Sequence, residues 1–119
     1  MTFEKCSFAV QTRQGGGKPR AVEVTGYKFA CQLPDSMDWV FVGVYKRGTH
    51  NNMIKGMAAW VVSCLDTGLE ICVADSRKEA VKKFMTRTIY SYERLRKSNN
   101  GKDFALLKHD FDVLCGVVK

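Results

Sequence analysis

The sequence is poor in the residues from which most catalytic and metal sites are built. It contains two histidines, His50 and His109, and no Cys-x-x-Cys pair. Zinc sites typically combine closely spaced cysteine and histidine ligands, and nucleophilic catalysis places a thiol or hydroxyl beside a base. Neither histidine lies in a motif of this kind. We therefore predict that the protein is not an enzyme and that it binds no metal and no cofactor.

The sequence also lacks a complete set of disulfide partners. Its five cysteines are odd in number and scattered along the chain. An odd number argues against a full disulfide framework, and thiols in the cytoplasm remain reduced. Most of these residues lie in apolar segments, so we interpret them as small hydrophobic core residues: Cys6, Cys31, Cys64, Cys72 and Cys115.

Long hydrophobic segments are missing as well. The longest apolar run is Trp39–Tyr45, which Gly43 interrupts, whereas about 20 apolar residues are needed to span a bilayer. The first twenty residues include several charged side chains and no apolar stretch of the kind that a secretory signal requires. The sequence therefore predicts a cytoplasmic protein that does not bind membranes.

The residues that are present predict one α+β domain over residues 1–119. Alternating apolar residues indicate a first hairpin, with Cys6, Phe8 and Val10 on one strand and Val22 and Val24 on the next. A linking segment is expected from 26 to 38. Trp39–Tyr45 is apolar on both faces, which is typical of a central strand covered on both sides. We expect four aromatic residues in the core: Trp39, Phe41, Trp60 and Phe84.

The second half predicts another hairpin and then helices. Strands at 58–65 and 69–74 are joined by Asp66-Thr67-Gly68, a strong tight-turn signal. Ser76 and Glu79 form a capping box, which begins a helix. That helix is expected to end in a turn at 98–101 and to be followed by a final helix. The prediction is an antiparallel sheet of about five strands, made of two hairpins and a central strand, with two C-terminal helices packed on one face.

The first predicted helix has two dissimilar sides. At 3.6 residues per turn, its apolar residues fall within about 100° of one another: Val81, Phe84, Met85, Thr88, Tyr92 and Leu95. Lys82, Lys83, Arg87, Arg94 and Lys97 fall on the opposite side. The segment 86–92 is rich in β-branched and aromatic residues, and it is where the helix is expected to kink or end early.

Nearly all of the net charge of +7 comes from the segment 77–97. That segment has eight basic and two acidic residues, while residues 1–75 have eight and seven and residues 98–119 have three and three. Ordinary solvated helix faces mix charges of both signs, so a local excess favours a polyanionic partner. The candidate nucleic-acid-binding residues come from this segment and from the basic loop at 46–56: Arg77, Lys78, Lys82, Lys83, Arg87, Arg94, Lys97, Arg47 and Lys55.

The hairpin and the helix start, residues 60–84, resemble the closing part of double-stranded RNA-binding domains. The resemblance is in Ser76-Arg77-Lys78-Glu79-Ala80 after a tight hairpin, and it covers about 25 residues. It implies that Arg77, Lys78 and Lys82 face phosphates across a groove. Three-stranded DNA-binding domains, such as integrase amino-terminal domains, share a similar order of strand, strand and helix. The chain lacks the amino-terminal helix of the RNA-binding family.

Two functions follow as hypotheses. In the first, the protein is a small intracellular nucleic-acid-binding protein that contacts phosphates without reading bases, with duplex favoured over single strands. In the second, it is a protein-interaction module or small inhibitor, of the viral or mobile-element type. The basic face would then dock on an acidic surface of a nucleic-acid-processing enzyme, with aromatic anchors supplying affinity. A solvated helix face without a partner is the plain alternative to both.

Overall fold

The computed structural model describes residues 2–12, 18–47 and 60–116. These residues form five strands: β1 (Glu4–Thr12), β2 (Arg20–Gln32), β3 (Trp39–Lys46), β4 (Trp60–Cys64) and β5 (Glu70–Ala74). Each strand pairs antiparallel with the next, in the order β1-β2-β3-β4-β5. The predicted α+β class and five-stranded antiparallel sheet are confirmed.

The helical segments follow the sheet as one joined run. They are α1 (Arg77–Lys83), a π-helical turn (Phe84–Thr88), α2 (Ile89–Lys97), a 3-10 turn (Ser98–Gly101) and α3 (Lys102–Leu114). The prediction of two separate helices differs from this single run. The regular geometry is interrupted at Asn99 and Asn100, where φ is 52° and 56°. Asparagine adopts this left-handed region more readily than most residues, which explains why the break falls there.

Local signals define the start of α1 and its continuation into α2. The Ser76 hydroxyl accepts a hydrogen bond from the Glu79 amide at 3.1 Å, as the capping box predicts. The π-helical turn (Phe84–Thr88) overlaps the start of the segment 86–92, for which the sequence predicts a kink or an early end. A π turn winds more residues per turn than an α-helix, so the inward-facing stripe shifts beyond it. Ile89 and Glu93 are therefore buried, while Leu95 is 39% exposed, contrary to the predicted stripe.

The main core lies between the helices and one face of the sheet. Phe84 is fully buried at its centre, with its ring centroid 6.2 Å from that of Phe29 on β2 and 6.3 Å from that of Tyr92 on α2. Three of the five cysteines belong to this core: Cys31, Cys64 and Cys72. Cys6 is half-buried and Cys115 is exposed, so the core interpretation fails for Cys115.

The first hairpin folds across the helix-free face of the sheet. β2 extends through Gln32, so most of the predicted linking segment is strand. Phe8 on β1 packs over Gly43, where an added Cβ would lie 2.5 Å from the ring. The backbone N–H of Gln11 donates a hydrogen bond to the Gly68 carbonyl oxygen at 2.8 Å, which ties the end of β1 to the turn between β4 and β5. Val61 on β4 is fully buried under this cover.

The cover stops short of the start of β3. Trp39 is 62% exposed and Phe41 is 55% exposed, so the prediction that both belong to the core is wrong. The pairing of β1 with β2 begins at Glu4 opposite Lys28, so within the described chain no strand extends over this end of β3. Trp60 is half-buried and packs against the core, and Phe84 is confirmed as a core residue.

Candidate nucleic-acid interface

The predicted contact residues divide into two groups along the helical run. Lys78, Lys82, Lys83 and Arg87 lie on α1 and the π-helical turn, and all four are exposed. Within the described part of the chain, none of them forms an ion pair. We call these four residues the α1 cations.

An open depression lies between the end of β5, an edge strand of the sheet, and the helical run from α1 into the π-helical turn. Its volume is about 610 Å³, and its lining includes Lys82, Lys83 and Arg87. Lys83 Nζ lies 3.3 Å from the Val73 carbonyl oxygen, to which it donates a hydrogen bond, so its ammonium is held beside β5. Two carboxylates, Asp75 and Glu79, also line the depression.

Arg77 has a different environment. Its guanidinium lies over the ring of Tyr27, 4.3 Å from the centroid, and 5.9 Å from the centroid of Phe3. These contacts join the start of α1 to β2 and to the residues before β1. Because stacking leaves the charge intact, Arg77 adds positive potential beside the α1 cations while it also stabilises the fold.

Lys97, at the end of α2, is neutralised within the molecule. Its Nζ lies 2.7 Å from Asp35 Oδ2 and 3.9 Å from Glu93 Oε2. The hydrogen bond and charge of Lys97 lower the pKa of Asp35, and that hydrogen bond raises the pKa of Lys97. Binding a phosphate through Lys97 would therefore require breaking an existing ion pair.

Glu93 is the buried member of this cluster, with 4% of its surface exposed. Its carboxylate accepts hydrogen bonds from the amides of Asp35 at 3.0 Å and Ser36 at 2.8 Å. Desolvation favours the protonated form, but the hydrogen bonds from Ser36 and Asp35 and the charge of Lys97 outweigh it, and the pKa of Glu93 is lowered. Glu93 thus attaches α2 to the turn between β2 and β3.

Two of the remaining predicted residues have contacts of their own, and the third is not described. Arg47 forms a hydrogen-bonded ion pair with Glu70. Arg94 is exposed and donates to the Ser91 hydroxyl at 3.3 Å. Lys55 lies outside the described residues. The structure therefore brings together four of the nine predicted residues, with Arg77 beside them.

Two buried thiols and His109 are residues of the described chain that bear on catalysis or metal binding. Burial raises the pKa of Cys31 to about 11 and also raises the pKa of Cys72, so both thiols are protonated at neutral pH. Among residues 2–12, 18–47 and 60–116, no group of three or more histidine, cysteine or acidic residues could hold a metal ion. His109 lies exposed on α3, and His50 is outside these ranges.

Sequence reasoning missed an exposed apolar patch, which we call the β3 patch: Met37, Trp39 and Phe41. Met37 is 56% exposed and has a φ of 63°, an uncommon conformation for a residue other than glycine, asparagine or aspartate. The alternation of these residues was a possible signal, but it equally fits a buried strand.

In the described part of the chain, no helix is long and apolar enough to cross a membrane.

Comparison with known proteins adds no relative. No protein family, no curated protein and no solved structure matches this chain. The likeness of residues 60–84 to RNA-binding domains therefore stays an interpretation of a short segment, and the function has to be argued from the site.

Proposed function

We propose that this protein binds nucleic acid in the cytoplasm without catalysing a reaction, and that the α1 cations contact its phosphates. One observation supports the proposal above all. Within ten residues of sequence, four exposed cations have no carboxylate partner in the described chain, whereas four basic residues elsewhere in it are paired: Lys28, Arg47, Arg96 and Lys97. These ten residues contain four basic side chains and one acidic side chain, Glu79, whereas a solvated helix face usually mixes the two signs more evenly.

The arrangement suits a linear polyanion. Lys78 and Lys82 lie four residues apart, close to one helical turn of 5.4 Å, and Lys83 continues the same surface toward the depression. Lysines and arginines placed along one element contact successive phosphates and release condensed counterions. The outer face of α1 lacks the asparagine and glutamine residues that read base edges, so we propose binding without base preference.

The salt dependence of affinity tests this proposal directly. If the four α1 cations neutralise four phosphates of duplex DNA, a plot of log association constant against log salt has a slope of about −3.6. Fluorescence anisotropy with a labelled duplex at several salt concentrations measures this slope. A slope near zero, or no binding at low salt, would refute nucleic-acid binding.

The β3 patch favours a second candidate function. Phosphate binding gives no role to Met37, Trp39 and Phe41, whereas exposed aromatic residues are common anchors in protein interfaces. In this alternative the protein is an interaction module or inhibitor that docks on an acidic surface of a nucleic-acid-processing enzyme. A pull-down of a protein partner that survives nuclease treatment and is lost in Trp39→Ser/Phe41→Ser would support this alternative. Loss of every pulled-down partner after nuclease treatment would instead favour nucleic-acid binding through the α1 cations.

A further inference from the structure

The depression beside α1 contains acceptors as well as cations. Asp75 and Glu79 line it together with Lys82, Lys83 and Arg87. Lys82 and Lys83 follow Glu79 by three and four residues, the spacing at which helix side chains meet. Even so, neither carboxylate forms an ion pair within the described chain. Both signs of charge are therefore available to a ligand at the same place.

A site for phosphate alone would be better without these carboxylates. Their negative charge repels a phosphate, and an ionised carboxylate is only a hydrogen-bond acceptor. A ligand that suits the whole depression needs an anionic group for the cations and a hydroxyl or amine donor for the acids. RNA has both in each nucleotide, because the ribose 2′-hydroxyl donates hydrogen bonds and DNA has no such group.

We infer that this depression selects RNA over DNA. Lys82, Lys83 and Arg87 bind the phosphates, and Asp75 and Glu79 accept hydrogen bonds from ribose 2′-hydroxyls. The half-buried residues Val73 and Ala74 supply an apolar wall for the sugar. The volume of the depression is about 610 Å³, and it is open to solvent, so a polymer can pass through it. This inference rests on the proposed function and specifies its ligand.

The test uses three duplexes of one sequence: RNA, RNA with 2′-O-methyl groups throughout, and DNA. The methylated RNA loses the hydroxyl donor. We expect the wild-type protein to bind RNA about tenfold more tightly than either of the other two, since hydrogen bonds to charged groups are the strong ones. In Asp75→Ala/Glu79→Ala this preference should vanish, while affinity for DNA should rise slightly because repulsion is removed.

A matched control keeps the same change in net charge. Glu23→Ala/Asp110→Ala also removes two exposed carboxylates, but neither lines the depression. This variant should retain the tenfold preference. Melting temperatures of both variants check that each is folded.

The outcomes separate the inference from the proposed function. Equal, salt-dependent binding of all three duplexes would overturn RNA selection and leave phosphate binding in place. A preference for RNA that persists in Asp75→Ala/Glu79→Ala would also overturn it, because the preference would then come from another surface. Absence of binding to every duplex would refute the proposed function itself.

Discussion

The two ends of the helical run up to Lys97 are both rich in basic residues, but these residues differ in how they are paired. At its start, the α1 cations face solvent without a carboxylate partner in the described chain. At its end, Lys97 is paired with Asp35 and Glu93, and Arg96 lies 3.7 Å from Asp66. Asp35 and Asp66 come from other parts of the molecule, and Glu93 lies on α2 itself, four residues before Lys97. The charge that a segment shows to a partner therefore depends on what the fold places beside it.

The largest expected effect is a difference in duplex affinity between variants that remove cations from the start and variants that remove paired cations. Lys82→Gln/Arg87→Gln and Arg47→Gln/Lys97→Gln each remove two positive charges. Because charge-assisted contacts contribute about 1.5 kcal/mol each, the first variant should weaken duplex binding about a hundredfold. The second should change it less than about threefold, since its cations are already paired.

Titration by fluorescence anisotropy at one low salt concentration measures both dissociation constants. Equal losses in the two variants would show that net charge alone determines binding. The distinction between the two ends would then have no functional meaning.

A smaller change in duplex affinity is expected when Lys97, at the end of α2, loses its main carboxylate partner. Asp35→Asn removes the carboxylate closest to Lys97 and leaves its ammonium more available. Duplex affinity should therefore rise, by about twofold to fivefold, because one further phosphate can be neutralised. The salt slope should become steeper by about 0.9. An unchanged slope would indicate that Lys97 lies too far from the bound nucleic acid.

The dependence of stability on pH sharpens the comparison further. The folded-state pKa values of Glu93 and Asp35 lie below their ordinary values, so their ionised forms stabilise the fold. This stabilisation is fully present above the ordinary carboxyl pKa values of about 4 and is lost as pH falls through the lowered values. Glu93→Gln should lower the melting temperature at pH 7 and reduce its decline between pH 5 and pH 2.

Thermal unfolding followed by circular dichroism measures this dependence. Glu79→Gln is the control, because Glu79 is exposed and has no ion pair in the described chain. A steep acid decline in Glu93→Gln equal to that of the wild type would exclude Glu93 as its source.

The smallest effect concerns Arg77, which combines stacking with charge. Arg77→Lys keeps the positive charge but loses the planar contact with Tyr27, so we expect a loss of stability of about 0.5–1 kcal/mol and unchanged duplex affinity. Urea unfolding and anisotropy measure the two quantities. A clear loss of affinity in Arg77→Lys would instead place this guanidinium in the contact surface.

Local features of the fold could be predicted from the sequence. The alternation along β1, the turn before β5 and the Ser76 cap all depend on residues a few positions apart, and each was found where the pattern indicated. The exposed position of the α1 cations likewise follows from helical spacing. Interactions between residues close in sequence can therefore be predicted from a single sequence.

The parts that could not be predicted depend on distant residues. Lys97 is neutralised by Asp35, which lies 62 residues earlier, so no local sequence pattern could predict this ion pair. Trp39 and Phe41 are exposed because the first hairpin covers only the other end of β3. The shift of Leu95 toward solvent follows from the π-helical turn, whose extra residue per turn alters the helical phase.

The hydrogen bond between Gln11 and Gly68 has a consequence for protein engineering. Residues 60–97 look like a portable hairpin and helix, yet Val61 on that hairpin is fully buried and the turn of the hairpin is hydrogen-bonded to Gln11 of β1. A graft of this segment into another scaffold would expose apolar surface to water, and the graft would aggregate. A transfer of the proposed binding activity therefore has to include the amino-terminal hairpin.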